Sequence, residues 1–168
     1  MRKICLIITL FFILFLLCGC DSKNREVIID GESINTSKME HKHCTRNGSL
    51  QGGEAKLEYD IYYTGDVLNL LKSREEIISA DENILDTYEE AYKSIHANYR
   101  RLANYDTEII RGDTTVTSIM NINYDSIDID KLIEIEGEED NIFVNKVPSV
   151  SKWLAFAKKL GTTCELVK

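Results

Sequence analysis

The chain has 168 residues, 43% of them apolar, and carries 28 Asp and Glu against 20 Lys and Arg for a formal charge of −8. Length and apolar share fit one modest domain able to bury a real core. The acidic balance argues against nucleic acid as a partner and against electrostatic docking on anionic lipid.

The chain opens with Arg2 and Lys3, followed by an apolar run from Ile4 to Leu17 broken only by Thr9. A helix that crosses a bilayer needs about 20 apolar residues. This run ends after about 14, at a small residue and a cysteine, and so reads as the core of a signal peptide. Leu17-Cys18-Gly19-Cys20 is similar to a lipobox, with Cys18 standing where Ala or Ser is commoner. On that reading residues 1–19 are removed and Cys20 is the lipidation site. Two or three acyl chains, at roughly 0.8 kcal/mol per buried CH2, anchor stably where one would not. The plainer alternative is a simply secreted or anchored chain. Asp21 follows directly, a signal that in Gram-negative enterics retains a lipoprotein at the inner membrane. The expected location is the outer face of the bacterial cytoplasmic membrane.

Of five cysteines, Cys5 and Cys18 leave with the leader and Cys20 is consumed by lipid, so Cys44 and Cys164 remain. Outside the cytoplasm one leftover pair points to a disulfide, here closing a loop of about 120 residues. The alternative is two independent thiols. The 149 residues after cleavage carry 18 Lys and Arg against 28 Asp and Glu.

From Asp21 to about Met39 the chain is polar, interrupted mainly by Val27-Ile28-Ile29, and reads as a flexible tether. The expected division is a signal peptide over 1–19, a lipidated N-terminus and tether over 20–40, and one globular domain over 41–168. Asn47-Gly48 and Gly52-Gly53 are turn signals. Leu57, Tyr59, Ile61 and Tyr63 alternate with Lys56, Glu58, Asp60 and Tyr62, the period of a strand with one wet face. Gly65-Asp66 suits a type II′ turn, and Val67 to Ile77 returns as a second strand. Ser79-Ala80-Asp81-Glu82 has the form of a capping box. It opens a helix with Ile84, Tyr88, Ala91, Tyr92, Ile95, Tyr99 and Leu102 on one face.

Tyr105 to Arg111 and Thr114 to Tyr124 read as strands around a Gly112-Asp113 turn. Asp128 caps a short helix through Ile135, ended by Gly137, with a Glu138-Glu139-Asp140 loop after it. Ile142-Phe143-Val144 is a short strand. Pro148 and Ser149 open a last helix with Val150, Trp153, Leu154, Ala157 and Leu160 as its apolar face, Lys158 and Lys159 at its negative end, and Gly161 at C′. The tail brings Cys164 back to the sheet. The fold class expected is α+β: an antiparallel β-sheet built from hairpins with two or three helices packed on it, a ββα-ββα arrangement being one form it can take.

With these elements placed, the chain resembles the YehR-like family of small bacterial lipoproteins of unknown function. The resemblance rests on the lipobox, on Tyr63-Thr64-Gly65-Asp66-Val67, on the Tyr-bearing helix, and on the run from Asn123-Tyr124 through Asp128 to Leu132. Asn123 stands where that pattern has Asp. The resemblance covers roughly residues 44–163. It implies an antiparallel sheet with packed helices and brings no catalytic residue. A Cys44–Cys164 bridge would mark a disulfide-bearing branch.

Candidate chemistry is sparse. His41-Lys42-His43-Cys44 is the cluster with metal-ligand character. On an extended strand, however, the two His share one side while Cys44 points the other way, and spacing supplies no third ligand, so a basic tether end is the plainer reading. His96 lies within the long helix and reads as a histidine at a core margin. Glu134, Glu136, Glu138, Glu139 and Asp140 lack the Gly-punctuated alternation of a calcium loop and read as a solvated loop. Seven of the eight tyrosines fall on expected core faces; Tyr62 is the aromatic surface candidate. There is no Gly-rich phosphate loop, no Gly-x-Ser-x-Gly, no His-Glu-x-x-His and no Cys-x-x-Cys.

The expected protein is thus not an enzyme and needs no metal or cofactor. It is a membrane-anchored binding or interaction module whose partners are the membrane through its lipid, and an envelope protein or small ligand. A small-molecule or metal-binding accessory lipoprotein for a transporter is the alternative, favoured by a cleft lined by tyrosines or by His41 and His43. A hydrolase is the third reading, and it requires a buried polar cluster at His96.

Overall fold

The structure is a computed structural model and describes residues 26–136 and 142–167. The leader, Cys20, Asp21, Gly137 and the Glu138 to Asp140 run lie outside the described residues. No helix among the described residues is long and apolar enough to cross a membrane.

The fold is α+β. Strands β1 (Glu26–Ile29) and β2 (Glu32–Asn35) form a hairpin. Next come β3 (Glu40–Leu50), β4 (Gly53–Thr64), β5 (Val67–Ser79), helix α1 (Glu82–Tyr99), β6 (Tyr105–Arg111) and β7 (Thr115–Asn123). The chain continues through α2 (Ile129–Glu136), β8 (Phe143–Val144), β9 (Val147–Pro148), α3 (Val150–Lys159) and β10 (Thr163–Leu166). Six strands make one antiparallel sheet in the order β10-β3-β4-β5-β7-β6. The β4–β5 and β6–β7 hairpins therefore stand side by side through β5–β7 pairing, each followed by a helix.

One sheet face carries the main core. Leu57, Ile61 and Tyr63 of β4, Leu71 and Ile77 of β5, and Val116 and Ile122 of β7 point to it and are buried with residues of the three described helices: Leu85 and Tyr92 of α1, Leu132 of α2, and Val150, Trp153 and Ala157 of α3. The two-residue alternation of β4 is thus realised, and the Gly65-Asp66 turn is tight, with Gly65 at φ +63°. Asp66 then does a second job. Its carboxylate accepts from the Ser149 hydroxyl at 2.8 Å and the Ser151 amide at 2.8 Å, and its carbonyl accepts from the Val150 amide at 2.9 Å, which ties the β4–β5 turn to the start of α3. These bonds hold the Asp66 carboxyl below its ordinary range.

Cys44 and Cys164 face each other across β3 and β10 and are joined, with an S–S distance of 2.08 Å. Ser149 caps α3, Asp128 caps α2 through the Lys131 amide at 3.1 Å, and Gly161 takes φ +84° past the end of α3, as their positions in the sequence imply.

Four local expectations are corrected. The tether assigned to residues 20–40 does not extend that far: from Glu26 the chain is the β1–β2 hairpin. Val27 and Ile29 of that hairpin are buried against Leu70 on the sheet face opposite the helices. Asp30-Gly31 turns it, with both residues at positive φ. Replacing Ile29 by Ala should cost about 2 kcal/mol, the low end for a buried isoleucine because the cluster under it is small. A chemical melt checks it, and an unchanged midpoint would return this segment to a tether.

Asn47-Gly48 is not a turn but lies inside β3, which has Cys44 as its one fully buried residue. A strand this polar shows no two-residue pattern and is held by its two neighbours. The capping box at Ser79 is likewise displaced. Asp81 is the cap and accepts from the Asn83 amide at 3.0 Å, while the Ser79 hydroxyl donates to the Gly52 carbonyl at 2.7 Å. Finally, the buried face of α1 follows the expected one only in part: Tyr92 is buried and Ile84, Tyr88 and Tyr99 pack partly buried as expected, but Leu85 and His96 are buried too while Ala91 and Ile95 are exposed.

Candidate functional site

The helices do not cover the whole core face of the sheet. α1 lies over β5, β7 and β6, and α3 returns over β4 through Trp153, whose ring meets Tyr59 edge-on at 5.4 Å. Between them runs a trough with two compartments. The first, about 170 Å³, is lined by Tyr59, Leu71, Met120, Ile122, Tyr124, Trp153, Phe156 and Ala157, among others. The second, about 370 Å³, is lined by Arg46, Leu57, Glu75, Ile77, Tyr88, Leu160 and Gly161 with backbone of the β3–β4 hairpin. Leu160 lines both. An apolar hollow with few convergent polar groups is the usual form of a small-ligand site; the second compartment is at the small end of such sites and the first is smaller still.

The polar end has a definite layout. Leu57 stands opposite Arg46 on one side and Glu75 on the other. The Arg46 guanidinium donates to the Leu160 carbonyl at 3.3 Å. Burial pushes the Glu75 carboxyl up, against the pull of Arg46. Burial likewise raises the Tyr59 hydroxyl, and raises Tyr92 further with the help of the Glu75 charge. The buried Tyr92 hydroxyl lies against the Glu75 carboxylate and hydrogen-bonds it in imperfect geometry.

Beyond Glu75 a polar pair lies under α1. Ser118 is the β7 partner of Glu75, and its hydroxyl is 2.9 Å from His96 Nε2. The polar cluster that a hydrolase reading requires at His96 therefore exists. It is sealed, however: His96 is 5% and Ser118 8% exposed, and neither lines a compartment of the trough. Burial first, and the Arg100 cation second, hold the His96 imidazole below its ordinary range. The unfolded chain takes up that proton near pH 6.5 and the folded chain does not, so stability rises with pH through the window below about 6.5 and is lost on acidification. Melting temperature should fall between about pH 7 and 5, and His96→Gln should flatten part of that slope. An identical slope in the variant would assign it to other groups.

On the opposite sheet face His41 Nε2 and His43 Nδ1 both meet Asp60 Oδ1, at 2.8 and 3.0 Å. An ionised carboxylate only accepts, so each imidazole donates there, which sets Nε2–H in His41 and Nδ1–H in His43. The two His share a side and Cys44 points away, as expected for a strand. Asp60 is the partner that spacing could not reveal, because it comes from β4. No group of three His, Cys, Asp or Glu among the described residues is placed to hold a metal ion. Tyr62 is not a free aromatic surface. It stacks on His41 at 4.3 Å and 11°, and packs against the β1–β2 cluster. Glu134 is exposed at the end of α2.

The trough itself was only partly legible. Tyr59, Trp153 and Ala157 read as core, and Arg46 and Glu75 carried no pattern. Glu75, a charged residue on the inward register of β5 between the buried Leu71 and Ile77, was the available signal.

No family model and no curated protein matches this chain. Two solved structures share its fold. The NMR structure of the Escherichia coli YehR protein superposes with a TM-score of 0.56 at 20% identity, covering 78% of this chain and 94% of that one. The NMR structure of a protein from Streptococcus pneumoniae TIGR4 does so with a TM-score of 0.52 at 17% identity, covering 83% and 90%. At these identities the likeness establishes a common fold: this chain has the YehR-like fold.

Proposed function

We propose that this protein is a lipid-anchored binding module of the YehR-like lipoprotein kind. It is held through Cys20 at the outer face of the bacterial cytoplasmic membrane and takes a small ligand in the trough between α1 and α3. The observation that carries the binding reading is the 170 Å³ apolar compartment between the Tyr59 and Trp153 rings and the sheet. The basic-apolar leader ending in Leu17-Cys18-Gly19-Cys20 supports the anchor. A non-enzymatic role is supported by the burial of the His96–Ser118 pair away from the trough.

Trp153 is the one tryptophan of the chain and lines the compartment, so its fluorescence reports occupancy directly. Toluene added to the full chain in phosphatidylglycerol vesicles should shift that emission saturably, and Ala157→Phe, which fills the compartment, should abolish the shift. No saturable shift in the wild-type chain overturns the binding reading. For the anchor, Cys20→Ala should release the protein from membranes and stop incorporation of labelled fatty acid; retention with label overturns it.

A further inference from the structure

The two charged groups in the trough narrow what it can hold. Arg46 and Glu75 both stand beside Leu57, on the flanking strands β3 and β5, so their Cα atoms are about 10 Å apart, two strand spacings. Their side chains rise on the same face, yet no ion pair within 4.0 Å joins them among the described residues. Arg46 makes one long bond to the Leu160 carbonyl. The two opposite charges are each half-buried and held apart across an open space, so a group that fills it can add a charge-assisted bond to either. The buried Tyr92 hydroxyl donates to the Glu75 carboxylate, which as an ionised acceptor still has capacity for a second donor.

An anionic ligand would satisfy Arg46 and oppose Glu75; a cationic one would do the reverse. A ligand with both charges satisfies both. The distance to the apolar compartment sets its size: Tyr59 lies two residues along β4 from Leu57, about 7 Å away, and Leu160 walls both compartments. The apolar compartment, about 170 Å³, has room for one large side chain. Resting on the small-ligand reading above, we propose that the ligand is a small zwitterion of the amino-acid type carrying one large apolar side chain. Its ammonium lies at Glu75, its carboxylate at Arg46, and its side chain between Leu71, Met120 and Trp153.

The test uses the full chain in phosphatidylglycerol vesicles, with Trp153 emission as readout and four probes sharing one ring: phenylalanine, N-acetyl-phenylalanine amide, phenethylamine and 3-phenylpropanoate. Phenylalanine is expected to bind about tenfold or more tightly than each of the others, since each lacks one or both charge-assisted bonds. Arg46→Met should erase its advantage over phenethylamine, and Glu75→Gln its advantage over 3-phenylpropanoate, while Arg46→Lys retains most of the first. Equal binding of phenylalanine and its neutral amide overturns the zwitterion and leaves an apolar binding module. Failure of all four probes and of toluene overturns the binding reading itself. Phosphatidylethanolamine added to the vesicles should leave the phenylalanine titration unmoved; competition by it would reassign the head group to a lipid and overturn the amino-acid proposal.

Discussion

Replacing both Cys44 and Cys164 by alanine is expected to lower the unfolding free energy by up to about 4–5 kcal/mol, the chain-entropy value for a loop of this length. The two residues are 120 apart in sequence and directly opposed on β3 and β10, so the bridge closes nearly the whole folded chain and removes most of the extended states open to the unfolded one. The effect is large for a domain of this size, whose total stability is of order 5–15 kcal/mol. It should appear as a fall in urea midpoint, reproduced in the wild type by reductant. A reduced wild type with an unshifted midpoint would falsify it. Mass after alkylation gives the companion test: no gain without reductant, a two-thiol gain with it. Because Cys44 is fully buried, part of any loss in the alanine variant comes from packing, and the reductant experiment separates the two.

Trp153→Ala should cost about 3–5 kcal/mol, the range for deleting a large buried aromatic. The ring is 7% exposed and sits edge-on against Tyr59, joining α3 to the sheet. Phe156, three residues on, is 46% exposed at the rim of the same compartment, so Phe156→Ala should cost under about 1 kcal/mol. Equal losses in the two variants would mean that α3 packs through a different face. The contrast also bears on function: Phe156→Ala leaves the fold in place while opening the compartment, and so separates a binding loss from a folding loss.

Much of the fold was written in local pattern. The alternation over Leu57–Tyr63, the Gly65-Asp66 turn, the Ser149 and Asp128 caps and the Gly161 C′ position each depend on neighbours within a few residues, and each is found where the pattern put it. The misreadings share a cause. β3 is a strand because β4 and β10 pair with it, not because its own side chains alternate. On α1, His96, polar in isolation, is buried where Ile95 is not, because Ser118 of β7 offers it a hydrogen bond. The β1–β2 hairpin does carry a local signal, Asp30-Gly31 beside Val27-Ile28-Ile29, which a tether over this segment leaves out.

By itself the sequence determined the α+β class and the order of most elements, since each follows from periodicity or turn chemistry, and it pointed to a Cys44–Cys164 bridge without excluding two independent thiols. Only the tertiary structure decided that α1 and α3 leave a trough between them, and that Arg46 and Glu75, 29 positions apart in the chain, flank the same leucine in it. The physical reason is that a binding site is made of groups brought together by strand register and helix packing, and register is set by pairing partners, not by the residues that carry the chemistry.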